Sequence, residues 1–144
     1  MKCTVIIDKE REPEVVVYAP ERSETVLKIM AACEDTRELF GYEGESAVRL
    51  EVGTVSAFIS EGDRVYALVG TRRLAVRERL YVLLERYGGD FLRINQSCLG
   101  NVSQIERFTV SFGGMLAVKF KNGYTDYVSR REIKKVKERI GLKL

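Results

Sequence analysis

Apolar and polar positions alternate in short runs along most of this chain, and glycines interrupt the runs at close intervals. From residue 37 onward they read RELFGY, SAVRLEV, TVSAFI, RVYALV and RLAV, punctuated by Gly41, Gly44, Gly53, Gly62 and Gly70. Runs this short predict a meandering antiparallel sheet, not a helix-turn-helix bundle. The period then changes. In VRERLYVLLERYGGD, Leu80, Leu83, Leu84 and Tyr87 recur at helical spacing, and Gly88-Gly89 supplies a C-cap. Strand runs resume with FLRI, QIERFTVSF, MLAVKF and YTDYV, and Gly113-Gly114 and Asn122-Gly123 separate paired runs. Asn-Gly predicts a two-residue hairpin turn with positive φ at both central positions. In the closing segment SRREIKKVKERIG, Ser129 and Glu132 form a capping box, Ile133, Val136 and Ile140 a narrow apolar stripe, and Gly141 the stop.

The first 42 residues follow a different plan. CTVIID at 3–8 and EVVVYA at 14–19, separated by a charged stretch containing Pro13, predict the two strands of one hairpin. Ser23 then caps a helix to about Glu34, whose apolar face of Val26, Leu27, Met30 and Ala31 would cover a small sheet. Charge shifts at the same place. Residues 1–42 carry six Lys and Arg against nine Asp and Glu, residues 43–120 ten against nine, and residues 121–144 eight against three. The expected organisation is a small α+β N-terminal extension, 1–42, with a dimerisation or regulatory role, joined to a mostly β domain, 43–144.

Composition removes several classes of function. The chain has 144 residues, 45% of them hydrophobic, enough to bury a core without staples. No run reaches the ~18 apolar residues that would cross a bilayer, and the N-terminus turns acidic where a signal peptide is apolar, so a cytoplasmic location is expected. Cys3, Cys33 and Cys98 form no CxxC pair and read as buried thiols of a reducing compartment. No histidine is present, which removes Ser-His-Asp and Cys-His catalysis and most zinc sites. Glu34-Asp35, Glu43 and Glu45 read as surface charge, and neither GxxxxGK[ST] nor GxGxxG occurs. The expectation is a protein without catalytic residues, metal or cofactor, not an enzyme.

Two segments carry candidate binding chemistry. Arg130 and Arg131 fall in the first turn of the last predicted helix, where the macrodipole disfavours cations by a few tenths of a kcal/mol. Either they splay into water, or a phosphate or guanine edge occupies that spot and both guanidinium forks act with the helix N-terminus. Lys134 and Lys135 extend the same positive field. In RINQSCLGN, residues 93–101, Asn95 and Gln96 carry amide forks that match an adenine edge, while Arg93, Ser97 and Asn101 could hold phosphates. The same composition suits a polar loop with no partner. Arg64, after the turn SEGD, reads on its own as part of an ordinary turn.

From about Leu50 to Ile140 these pieces resemble the LytTR DNA-binding domain. The resemblance is carried by FISEGDRVYAL, by RLYVLLERYGGDFLRINQSCLGNVSQIERF and by SFGGMLAVKFKNGYTDYVSRREIKKVKE, in that order and with little gap. It implies a mostly β fold of LytTR-like meandering antiparallel sheets with peripheral helices. It further implies loops that enter successive major grooves, and homodimers on paired sites in double-stranded promoter DNA. Carried over, the base-reading positions are Gln96, Arg131 and, in the turn before RVYAL, Arg64 or Val65; a histidine used there by some members is missing. Lys121 and Asn122 join Arg93, Asn95, Ser97, Arg130, Lys134 and Lys135 as backbone contacts. Residues 1–42 resemble the extension of stand-alone members and show nothing of a receiver domain. Such members are often controlled by a membrane-bound inhibitory protein, a further partner implied here. The alternative function is a protein-interaction module whose acidic N-terminal part docks that partner.

Overall fold

A computed structural model describes residues 2–34 and 38–144, and the described residues form ten strands, three α-helices and two short 3-10 helices. Helix α1 spans Glu24–Glu34. Five strands follow: β1 (Leu39–Glu43), β2 (Ser46–Leu50), β3 (Val55–Glu61), β4 (Arg64–Val69) and β5 (Arg72–Val76). After helix α2 (Leu80–Tyr87) come β6 (Phe91–Asn95), β7 (Cys98–Asn101), β8 (Ile105–Val110), β9 (Leu116–Phe120), β10 (Thr125–Val128) and helix α3 (Arg130–Ile140). All pairings are antiparallel. Seven strands make one sheet in the order β2-β1-β5-β4-β3-β7-β6, and the last three make a second in the order β10-β9-β8.

Alternation along the strands builds a core on each face of the large sheet. Phe58 of β3 points to one side with Leu74, Leu83, Phe91 and Leu99, where α2 covers them. Its neighbours Ala57 and Ile59 point to the other side with Ile94, Leu116, Val118, Phe120 and Val136, beneath the small sheet and α3. Every fully buried Phe, Leu or Ile here contributes about 1.5–3 kcal/mol. Two glycines let the layers approach. A Cβ on Gly100 would lie 2.8 Å from Phe120 Cζ, and one on Gly89 would lie 2.9 Å from Lys28 Cα of α1.

The mostly β meander with peripheral helices is as the alternation predicts, and α1 begins where Ser23 accepts from the Val26 N–H at 3.3 Å. Several local expectations need correction. Residues 3–8 and 14–19 form no strand. A two-stranded hairpin without a supporting sheet is marginal in water, and here Ile6 and Tyr18 are 84% and 94% exposed. Segment 98–101, read as loop, is the fully buried strand β7. Gly88 ends α2 with right-handed backbone, not as a left-handed cap. At the Asn122-Gly123 turn only Gly123 has positive φ, because the 121–123 loop has three residues and needs one left-handed position. Gly141 does cap α3 in the left-handed conformation. Cys3 and Cys33 are exposed, and Cys98 alone is buried. Strand β1 crosses the 42/43 boundary suggested by charge. The strand start expected at Arg37, and Asp35, lie outside the described residues. No helix among the described residues is long and apolar enough to cross a membrane.

Candidate functional site

The antiparallel meander returns the chain to the same end of the large sheet again and again. The register pairs Glu43 with Ser46, Glu61 with Arg64, Val65 with Val76, Tyr42 with Ala75 and Asn95 with Cys98. The β3–β4 turn, the β5–α2 connection and the β6–β7 turn therefore share one end, while the β1–β2 turn lies at the other, where Glu43 pairs with Arg72. Helix α3 joins the first three, because the Ser129 N–H donates to Ile94 C=O at 3.0 Å and starts the helix beside the β6–β7 turn.

Three candidate residues meet there. Arg64 and Gln96 line one groove, and Gln96 and Arg131 line the depression next to it together with Arg93, Asn95, Ser129 and Glu132. Arg64, Gln96 and Arg131 are all exposed. Among the described residues the Gln96 amide takes no hydrogen-bond partner, so both halves of the fork are open to a ligand.

The turn that presents Gln96 is braced on all sides. Arg93 Nη1 donates to the carbonyls of Asn95 and Gln96 at 3.2 and 3.3 Å. Asn95 Nδ2 donates to Asp126 Oδ1 and to Tyr127 C=O, each at 2.9 Å, and Asn95 Oδ1 accepts the Ser97 N–H at 2.8 Å. Asp126 also accepts the Tyr124 hydroxyl at 2.7 Å. Burial, and then Asp126, push the Tyr124 hydroxyl above its ordinary range, so it remains a donor. Asn95, expected as a contact, thus has its amide committed to holding the β6–β7 turn against β10. Cys98, next along the chain, is a core thiol raised well above its usual range by burial and by Asp126.

Helix α3 opens without the expected capping box. The Ser129 carbonyl accepts the Glu132 and Ile133 N–H groups at 2.9 and 3.1 Å, but its side chain makes no cap bond. Glu132 is buried and makes no bond back to the Ser129 N–H, which donates to Ile94 C=O instead. The N–H groups of the exposed Arg130 and Arg131 stay uncapped, an arrangement that attracts anions. Lys134 and Lys135 are exposed one turn further along.

Other candidates lie elsewhere. Asn122 Nδ2 donates to Gly70 C=O at 2.9 Å and its Oδ1 accepts the Tyr124 N–H at 3.0 Å. Gly70 follows the far end of β4 from Arg64, about 20 Å away at strand rise. Lys121 and Asn122 are therefore apart from the Gln96 edge, because β9 and β10 run the length of the sheet before turning. Asn101 is buried, with Nδ2 donating to Val55 C=O at 2.8 Å, and is not available to a phosphate. Conversely, Arg77 and Arg79 of the β5–α2 connection line the groove with Arg64 and did not stand out in the sequence. The signal was the spacing of VRER directly after a strand whose antiparallel partner begins at Arg64.

The LytTr DNA-binding domain family model matches residues 45–141. Over 146 residues the chain is 28% identical to an uncharacterized HTH-type transcriptional regulator of Staphylococcus aureus strain MSSA476, covering 99% of each chain. A counterpart from strain NCTC 8325 is 27% identical with the same coverage. A solved LytTr DNA-binding domain from Bacillus cereus superposes with a TM-score of 0.68 at 13% identity, covering 74% of this chain and 99% of that one.

Proposed function

Since the chain belongs to the LytTR DNA-binding domain family, we propose that it is a sequence-specific transcription regulator that contacts successive major grooves of promoter DNA through loops at one sheet end. The observation that carries this reading is the row of Arg64, Gln96 and Arg131 along two adjoining depressions. Guanidinium and amide forks there match the donor and acceptor edges of guanine and adenine. Arg130, Lys134, Lys135 and Ser97 flank the row as phosphate contacts, while Asn95 and Arg93 hold the Gln96 turn in place. The three α-helices are separated by strands, so the reading element is a set of loops and not a helix pair. The protein then works in the cytoplasm, where its promoter DNA lies.

Arg131→Ala is expected to cost about 1–3 kcal/mol on the preferred promoter site and little on random duplex. Fluorescence anisotropy on both duplexes measures this. Equal losses would make Arg131 a phosphate contact, and no binding by the unaltered chain at low salt would favour a module that docks a protein, such as a membrane-bound inhibitor.

A homodimer joined through residues 1–42 belongs to the same reading. Val5, Ile6 and Ile7 are 78–84% exposed, in backbone that pairs with nothing among the described residues. The Staphylococcus relatives span this extension as well. A second copy supplies the missing strand partner symmetrically. Sedimentation should show a dimer that Ile6→Asp converts to a monomer; a monomeric unaltered chain, or an unaffected variant, would overturn this assignment.

A further inference from the structure

The groove beside Gln96 holds more positive charge than base reading uses. It is an open furrow of about 1120 Å³ that runs from Tyr42 past the β3–β4 turn and the β5–α2 connection to Gln96. Five arginines line it: Arg64, Arg73, Arg77, Arg79 and Arg93. Three carboxylates share the lining, Glu43, Asp63 and Glu78, but two already have partners outside it. Glu43 pairs with Arg72 at 2.5 Å and Glu78 with Arg86 at 3.7 Å. Arg73 is held in turn by Glu61. Arg64, Arg77, Arg79 and Arg93 are left facing Asp63, and among the described residues none of the four makes an ion pair.

Like charge gathered in this way destabilises a compact fold unless an anion relieves it. The arginines are also partly ordered in advance. The Arg77 guanidinium lies 4.1 Å over the Tyr42 ring, and that of Arg73 lies 4.1 Å over Tyr66. Stacking holds the flat fork in place, so less rotamer freedom is lost when it grips an oxyanion. The shape favours a chain of anions over a single one. Arg93 and Gln96 belong both to the furrow and to the depression that contains Arg131, so a polyanion seated in one continues into the other.

We propose that this furrow clamps the phosphodiester backbone of the DNA flanking the base-read site, with Arg77 and Arg79 as its phosphate contacts. The clamp rests on the DNA-binding reading above and lengthens the footprint on the side of Arg64. Sequence-independent phosphate contacts position a protein on the duplex and steepen the salt dependence of binding without choosing bases.

The test is fluorescence anisotropy on the full chain and on the variants R79Q and R77Q/R79Q. Each is titrated across salt concentration on the promoter duplex, on random duplex, and on promoter duplex shortened by roughly five base pairs, half a helical turn, at either end in turn. Both arginines are exposed, and R79Q, which removes no ring contact, keeps the test valid if the double variant melts early. The slope of log K against log salt should fall by about 0.9 for R79Q and about 1.8 for the double variant, alike on promoter and random duplex. Shortening one end should weaken the unaltered chain and leave the double variant nearly unaffected, since both changes remove the same contacts. An unchanged slope, a loss confined to the promoter, or equal sensitivity to shortening would overturn the clamp while leaving the function intact. Failure of the unaltered chain to bind any duplex would overturn the function itself.

Discussion

Asn95 and Gln96 are adjacent amides with opposite fates. In sequence both are forks in a polar segment, and nothing local separates them. The fold does so through Asp126 and Tyr127, which occupy both Asn95 donors from more than 30 residues away. Gln96 is left at the tip of the turn, facing outward. The cysteines teach the same lesson. Apolar character makes each a candidate core thiol, yet only Cys98 sits in a strand with both faces covered, while Cys3 and Cys33 lie in the exposed extension. With a thiol reagent on the folded protein, two groups should react promptly and Cys98 only after denaturant is added, since burial keeps its thiolate scarce. Prompt reaction of all three would contradict the packing of β7. The Arg130-Arg131 pair was legible in sequence because its placement at a helix start conflicts with the dipole. Such a conflict nominates a candidate site where charge alone does not.

Among elements, strands with strict alternation were legible wherever the large sheet has one core on each side. Strand β7 was not, because its run CLGN is short and contains a glycine that a strand ordinarily disfavours. That glycine has a packing reason visible only in three dimensions: Phe120 Cζ and Ile94 Cγ1 would lie 2.8 and 3.1 Å from an added Cβ. Gly100→Ala should therefore destabilise the fold by about 1–3 kcal/mol through overpacking. Urea unfolding measures this, and Phe120→Leu in the same chain should recover part of the loss. An unchanged midpoint would mean that the two layers are less tightly joined than described. The missing N-terminal hairpin is the converse case. Its residues have strand propensity, but propensity alone does not order a pair of strands with no sheet to lie on.

At the scale of the molecule, the candidate site follows from the parity of the meander. Each antiparallel return brings a connection to one of two ends, so turns far apart in sequence, near residues 62, 78, 96 and 130, gather at one end, and the β1–β2 turn and the 121–123 loop do not. Placing Lys121 and Asn122 on the site followed charge and loop composition, which carry no information about the end. Arg77 and Arg79 were passed over for the same reason. Adding the promoter duplex to isotopically labelled protein and following the backbone amide resonances tests this arrangement most directly. Shifts should concentrate at residues 61–64, 77–81, 95–97 and 129–131, leaving 121–123 undisturbed. Shifts centred on the 121–123 loop, with Gln96 and Arg131 unmoved, would contradict the assignment of the DNA-binding end.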